Sequence, residues 1–170
     1  MKGYIHVYTG NGKGKTTAAL GLALRAAAAG KKVFIGQFVK GMHYSELDLI
    51  PQLPGITLKQ YGRGCFITRE PTPADYDAAA KGFAEIRAIL ISGEYDVVIL
   101  DEANIALHYG LIAFDALKEA LLQRAEHVEV VITGRYAPQE LVDLADLVTE
   151  MKEIKHYYQK GIEARVGIEK

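Results

Sequence analysis

Tryptophan is absent from the 170-residue chain, and cysteine occurs once, at Cys65, so no internal disulfide can form. A lone thiol fits a reducing compartment. No apolar run approaches the roughly 20 residues that a membrane-crossing helix needs. Neither sign of charge dominates: 20 Lys and Arg face 21 Asp and Glu. That balance argues against nucleic acid as the main partner. The five histidines show no zinc-like spacing with one another or with Cys65. Strand-like sequence begins almost at Met1, so no cleaved leader is expected, and a cytoplasmic location is the expectation. What remains is a globular composition, 49% hydrophobic, with no repeat, linker or low-complexity tract. Residues 1–170 are expected to form a single domain.

The most informative segment is Thr9-Gly10-Asn11-Gly12-Lys13-Gly14-Lys15-Thr16-Thr17, between a strand-like run, Tyr4–Tyr8, and a helix-like run, Ala18–Ala29. Alternate glycines let backbone N–H groups approach phosphate oxygens with no side chain in the way. The helix that follows adds the positive end of its dipole. Lys15 supplies a full cation, and the Thr16 hydroxyl can ligate a magnesium ion bound to the phosphates. Thr9 stands where the general motif has glycine. A plain glycine-rich strand-to-helix turn is the competing reading.

Apolar strand-like runs alternate with helical patterns along the rest of the chain. This predicts an α/β fold: a RecA-like P-loop domain with a mainly parallel sheet and helices on both faces. Helix is expected over roughly Thr16–Ala29, capped by Gly30, and strands over Val33–Phe38 and Ile56–Tyr61. A long helix is expected from Thr72-Pro73-Ala74-Asp75, with Thr72 as N-cap, Asp75 completing a capping box and Gly93 ending it. Phe83, Ile86 and Leu90 make its buried stripe. Val97–Leu100 and Val128–Ile132 read as central strands, Asp115–Arg124 and Pro138–Leu144 as helices, and Leu147–Thr149 as a last parallel strand. The polar tail Lys155–Lys170 resists classification.

Val97-Val98-Ile99-Leu100 runs into Asp101-Glu102. A strand lying beside the first would deliver these carboxylates next to the phosphates. One of them can hold magnesium and the other can ligate, orient water or act as a base; two acids capping a loop is the structural alternative. Val131–Arg135 ends another strand at the same sheet edge, so Arg135 either meets phosphate charge or makes a surface ion pair. Gln37 and Lys40 fall on that edge too. His6 lies within a strand, where a structural role is expected. Tyr157 and Tyr158 either line a pocket or pack. For Lys13, phosphate contact, partner-subunit contact and solvation stay open.

Several segments together resemble the P-loop ATP:corrinoid (cob(I)alamin) adenosyltransferases. They are Thr9–Ala19, Gln37-Phe38-Val39-Lys40-Gly41, Val98–Glu102, Ile132-Thr133-Gly134-Arg135, Leu144–Met151 and Lys155–Ile168. The shortened phosphate loop is that family's own form. The resemblance implies transfer of the 5′-deoxyadenosyl group of ATP to cobalt(I) of a reduced corrinoid, with triphosphate leaving. It implies ATP held in the reverse sense to an ordinary P-loop enzyme. It also implies nucleotide contacts from Gly10, Asn11, Gly12, Lys13, Gly14, Lys15, Thr16, Thr17 and Arg135, with Lys15, Thr16 and Glu102 catalytic. Thr16, Asp101 and Glu102 would hold Mg2+ (or Mn2+). Bulky apolar residues at the lower corrinoid face map to Gly62–Arg69. Phe66 and Ile67 are the candidates there, anchoring of a loop being the alternative. An electron-donating reductase and a homodimer are implied as partners. The tail would add nucleoside contacts. The covering N-terminal extension of some relatives has no counterpart here, which leaves open how the corrinoid pocket is closed, a second subunit being one way. A nucleoside or nucleotide kinase, and a non-catalytic ATP- and corrinoid-binding protein, are the rival readings.

Overall fold

The computed structural model describes residues 1–62 and 70–170. Six strands form one all-parallel sheet. They are β1 (Ile5–Thr9), β2 (Val33–Phe38), β3 (Ile56–Tyr61), β4 (Val97–Asp101), β5 (Glu129–Thr133) and β6 (Leu147–Glu150). The helices are α1 (Lys15–Ala28), α2 (Glu46–Leu49), α3 (Pro73–Ser92), α4 (Ala103–His108), α5 (Phe114–Gln123) and α6 (Gln139–Leu144). This is the expected α/β class, with boundaries displaced by a residue or so. Among the described residues no helix is long and apolar enough to cross a membrane.

Strand order is β3-β2-β4-β5-β1-β6. It corrects one expectation: β4 does not lie beside β1, because β5 is inserted between them. The acidic strand end therefore meets the phosphate loop across β5. The short helices α2 and α4, and single 3₁₀ turns at Ile50–Gln52 and Tyr157–Lys160, also went unforeseen. Three to six residues carry too little periodicity to register.

Alternation along the strands divides the core into two layers. Phe34, Phe38, Val98, Leu100, Val130 and Ile132 face α3–α6. Val33, Ile35, Val97, Ile99 and Val131 face α1, which meets them with Ala19, Ala23 and Ala26. Small residues let α1 lie close to the sheet. By the same parity Gln37, Asp101 and Thr133 end β2, β4 and β5 on the α1 side, all buried. On the opposite face α3 inserts Ile86 and Leu90, both fully buried; each contributes about 2–3 kcal/mol. The α3 start is fixed by Asp75, whose Oδ2 accepts the Thr72 N–H at 2.8 Å and the Thr72 hydroxyl at 2.6 Å. Gly93 closes its far end in a left-handed conformation.

Candidate active site

The chain leaves β1 at Thr9, turns through Gly10–Gly14 and enters α1 at Lys15. Gly10 has φ 95°, and a Cβ there would stand 2.5 Å from the Met151 carbonyl oxygen. No L side chain fits. The segment after β6 braces the loop: Met151 N–H donates to Thr9 O at 2.8 Å, and Gly12 N–H donates to Met151 O at 2.7 Å. Sequence reasoning missed this brace, which joins residues far apart in the chain.

Lys15 is buried, and its ammonium donates to the carbonyls of Gly10 (2.8 Å) and Gly12 (2.7 Å). Burial pulls its pKa below the ordinary lysine range; Arg135 adds to that pull, while Glu102 and Asp101 oppose it. Asn11, Lys13 and Thr17 are exposed, and Thr16 is half-buried.

Thr16 reaches across to β4. Its hydroxyl donates to Asp101 Oδ1 at 2.9 Å, and the Thr133 hydroxyl donates to the same oxygen at 2.7 Å. Asp101 Oδ2 accepts from Lys40 at 2.8 Å and Gln37 at 3.2 Å. Asp101 is thus the convergence point of α1, β2 and β5, and is 1% exposed. Burial opposes the charge on Lys40, but the Asp101 carboxylate, then Glu46 and Glu102, more than compensate and raise its pKa.

Glu102 follows in a left-handed conformation, φ 59°, with its N–H donated to Thr133 Oγ1 at 3.1 Å. Its carboxylate makes no hydrogen bond with the described residues. Burial, and then the neighbouring Asp101 charge, hold it above the ordinary carboxylate range; Lys40, Lys15 and Arg135 pull the other way. Arg135 is exposed at the end of the β5 turn. Asn104 secures that turn, donating to Gly134 O at 2.9 Å.

The structure therefore brings Lys15, Thr16, Asp101, Glu102 and Arg135 to one sheet edge. Lys13 points elsewhere: its ammonium meets Glu169 Oε1 at 2.6 Å, Ile168 O at 2.7 Å and Tyr157 OH at 3.2 Å. Beside it a cleft of about 330 Å³ is lined by Lys13, Lys152, Lys155, His156 and Tyr157. His6 is held in β1 by Glu129 at 2.6 Å. Phe66 and Ile67 lie outside the described residues.

Among the described residues no three His, Cys, Asp or Glu side chains form a metal cage. The Thr16 hydroxyl with one or two of the carboxylates of Asp101 and Glu102 is a donor set that suits a hard cation bound largely through phosphate oxygens. The Glu102 carboxylate, half-buried and without a hydrogen bond to the described residues, is the one open to such an ion.

Residues 1–169 match the protein family described as ATP:corrinoid adenosyltransferase BtuR/CobO/CobP. The chain belongs to that family. It is 33% identical over 168 residues to the corrinoid adenosyltransferase of Escherichia coli (strain K12), covering 99% of this chain and 86% of that protein. It is 34% identical to the corrinoid adenosyltransferase CobA of Salmonella typhimurium, with the same coverage. A corrinoid adenosyltransferase of Sinorhizobium sp is 38% identical over 172 residues, covering 99% of this chain and 80% of the relative. The match runs through the phosphate loop, the acidic strand end and the tail alike.

Proposed function

We propose that the chain, as one adenosyltransferase domain, transfers the 5′-deoxyadenosyl group of ATP to the cobalt(I) of a reduced corrinoid and releases triphosphate, in adenosylcobalamin synthesis or salvage. The observation that carries this reading is the family match over residues 1–169, on a fold that gathers Lys15, Thr16, Asp101 and Glu102 at one edge. In the reaction the cobalt electron pair forms the cobalt–carbon bond. The C5′–oxygen bond breaks, and that oxygen leaves with its pair on the phosphate chain. No proton need move, and no serine or cysteine nucleophile is required. The protein's task is electrostatic.

Loop N–H groups between Gly10 and Thr17, apart from that of Gly12, which is held by Met151 O, and the Lys15 ammonium would cradle the triphosphate. To do so Lys15 exchanges two neutral carbonyl acceptors for charged oxygens, a stronger hydrogen bond. Arg135 would meet the same chain from the β5 side. Thr16, with Asp101 or Glu102, would hold Mg2+ or Mn2+, which when bound adds positive charge against the departing triphosphate. The cleft between Lys13 and Tyr157 is our candidate for nucleoside contacts from the tail, and Phe66 and Ile67 for the lower corrinoid face. A homodimer, an electron-donating reductase and a cytoplasmic setting complete the proposal.

The test is incubation with ATP, magnesium and chemically reduced cobalamin. The expected outcome is the spectrum of the alkylated corrinoid together with intact triphosphate. ADP with a phosphorylated acceptor, or saturable ATP binding with no cobalt–carbon bond, would overturn the proposal.

A further inference from the structure

Lys40 is 9% exposed, yet it carries a charge into the interior of the site. Its ammonium lies 2.8 Å from Asp101 Oδ2 and 3.6 Å from Glu46 Oε1, and 4.8 Å from the centre of the Tyr44 ring. Two carboxylates and an aromatic face surround it. Two independent features of the backbone keep it there. Val39, just before it, has φ 61°. That conformation is a marked outlier for a β-branched residue, and such strain persists only where the surroundings impose it. Val39 thereby packs on the α3 side of the sheet while Lys40 turns to the α1 side. At the end of β3, Gly62 passes so close that a Cβ would stand 2.6 Å from Lys40 O and 2.7 Å from Lys40 N. The fold accepts a strained residue and a close backbone crossing to hold this cation.

Its effect falls on Asp101. A carboxylate has about four lone-pair positions. Here Thr16 and Thr133 occupy Oδ1, and Lys40 and Gln37 occupy Oδ2. A divalent ion reaching Asp101 would have to displace one of these donors. Displacing Lys40 would strand a buried ammonium. The Thr16 hydroxyl, with its proton committed to Asp101, keeps its lone pairs facing away, which is the state required to ligate a cation. Glu102 has no such commitments.

We propose that Lys40 is a resident counter-ion of the metal–triphosphate site. It fixes Asp101 as the acceptor that orients Thr16, and leaves Glu102 as the carboxylate open to the divalent ion. Lys40 is thus a positioning residue, and its charge also discourages a divalent ion from lodging in the site before nucleotide arrives. The inference rests on the metal assignment under Proposed function.

The experiment is a Mn2+ titration of the whole protein, followed by electron paramagnetic resonance, with and without ATP. Wild-type protein should bind Mn2+ weakly alone and more tightly with ATP. Lys40→Met and Lys40→Gln should each bind Mn2+ alone about tenfold more tightly or better, because a cation has left the site. The glutamine retains a donor to Asp101, so it serves if methionine unsettles the fold. Lys40→Arg should restore wild-type affinity, and Lys40→Gln combined with Asp101→Asn should abolish the gain. Unchanged or weaker Mn2+ binding by both neutral variants would overturn the proposal. So would loss of metal-free ATP affinity, which would make Lys40 a phosphate contact. Failure of wild-type protein to bind Mn2+ even with ATP would instead sink the metal assignment itself.

Discussion

Replacing Glu102 with glutamine should make the nucleotide-free protein more stable and its proposed metal site worse. Glutamine keeps the shape and removes the charge. In the native structure that charge has no hydrogen bond with the described residues, and burial and Asp101 hold its pKa above the ordinary value of 4.5. An acid whose folded pKa is raised binds more protons in the native state than in the unfolded one between those two pKa values. Stability therefore falls as pH rises through that window and stays lower above it. Glu102→Gln mimics the protonated form and should remove that fall. In an effective dielectric of about 20, two like charges at about 4 Å repel by about 4 kcal/mol, and by less in proportion as they separate. Lys40, Lys15 and Arg135 offset much of this. A net gain of about 1 kcal/mol near neutral pH is expected, which is about 2–4 °C in Tm for a domain of this size.

The same change removes the uncommitted carboxylate. Mn2+ affinity in the presence of ATP should drop at least about tenfold, by comparison with the loss seen when even an indirect partner of a metal is removed. In the wild type that affinity should also weaken as pH falls through the raised Glu102 pKa, because the metal must displace the proton. The assays are thermal melts of nucleotide-free protein from about pH 4 to about pH 8, and a Mn2+ titration with ATP. A variant that melts earlier at neutral pH, or keeps wild-type Mn2+ affinity, contradicts the role given to the Glu102 charge.

Lys15→Ala should abolish ATP-dependent adenosylation of chemically reduced cobalamin; near-normal turnover would refute the role given to that ammonium. Gly10→Ala forces a side chain into φ 95° and against Met151 O, costing about 1–2 kcal/mol in conformation alone. Calorimetry should show weakened ATP binding, because the loop must move to relieve the contact, and unchanged binding would count against the brace. Asp75→Ala removes the α3 cap and should lower stability by about 1 kcal/mol, read as a reduced denaturant midpoint with Mn2+–ATP affinity intact.

Much of this site is written locally. The phosphate loop announces itself because glycines and Lys15-Thr16 sit between a strand and a helix. Val97–Leu100 reads as a central strand because both its faces are buried and every residue is apolar. Thr72 and Asp75 cap a helix through neighbours three residues apart. Other features depend on which strands are neighbours, and nothing in a strand's own residues states that. The insertion of β5 is one case. The Met151 brace and the Lys40–Asp101 pair are others, each joining segments separated by dozens of residues. Gln37 and Lys40 were placed at the correct edge, but their shared partner could be found only once β2 lay against β4. Thr133 had the right parity and went unassigned for the same reason.

The inserted strand joins the residues of the candidate site into one unit. Thr133, at the end of β5, donates to Asp101 and accepts from the Glu102 N–H, so β5 ties both acids to the strand that precedes Arg135. Around them Asp101, Glu102 and Glu46 balance Lys40, Lys15 and Arg135. A site balanced in this way has little surplus attraction for a polyphosphate, which must bring its own divalent ion. In the proposed reaction the breaking bond leaves an additional negative charge on the phosphate chain. Lys15 and Arg135 would therefore attract the transition state more strongly than they attract ATP. That difference, and not tight binding of the nucleotide, is what accelerates a displacement.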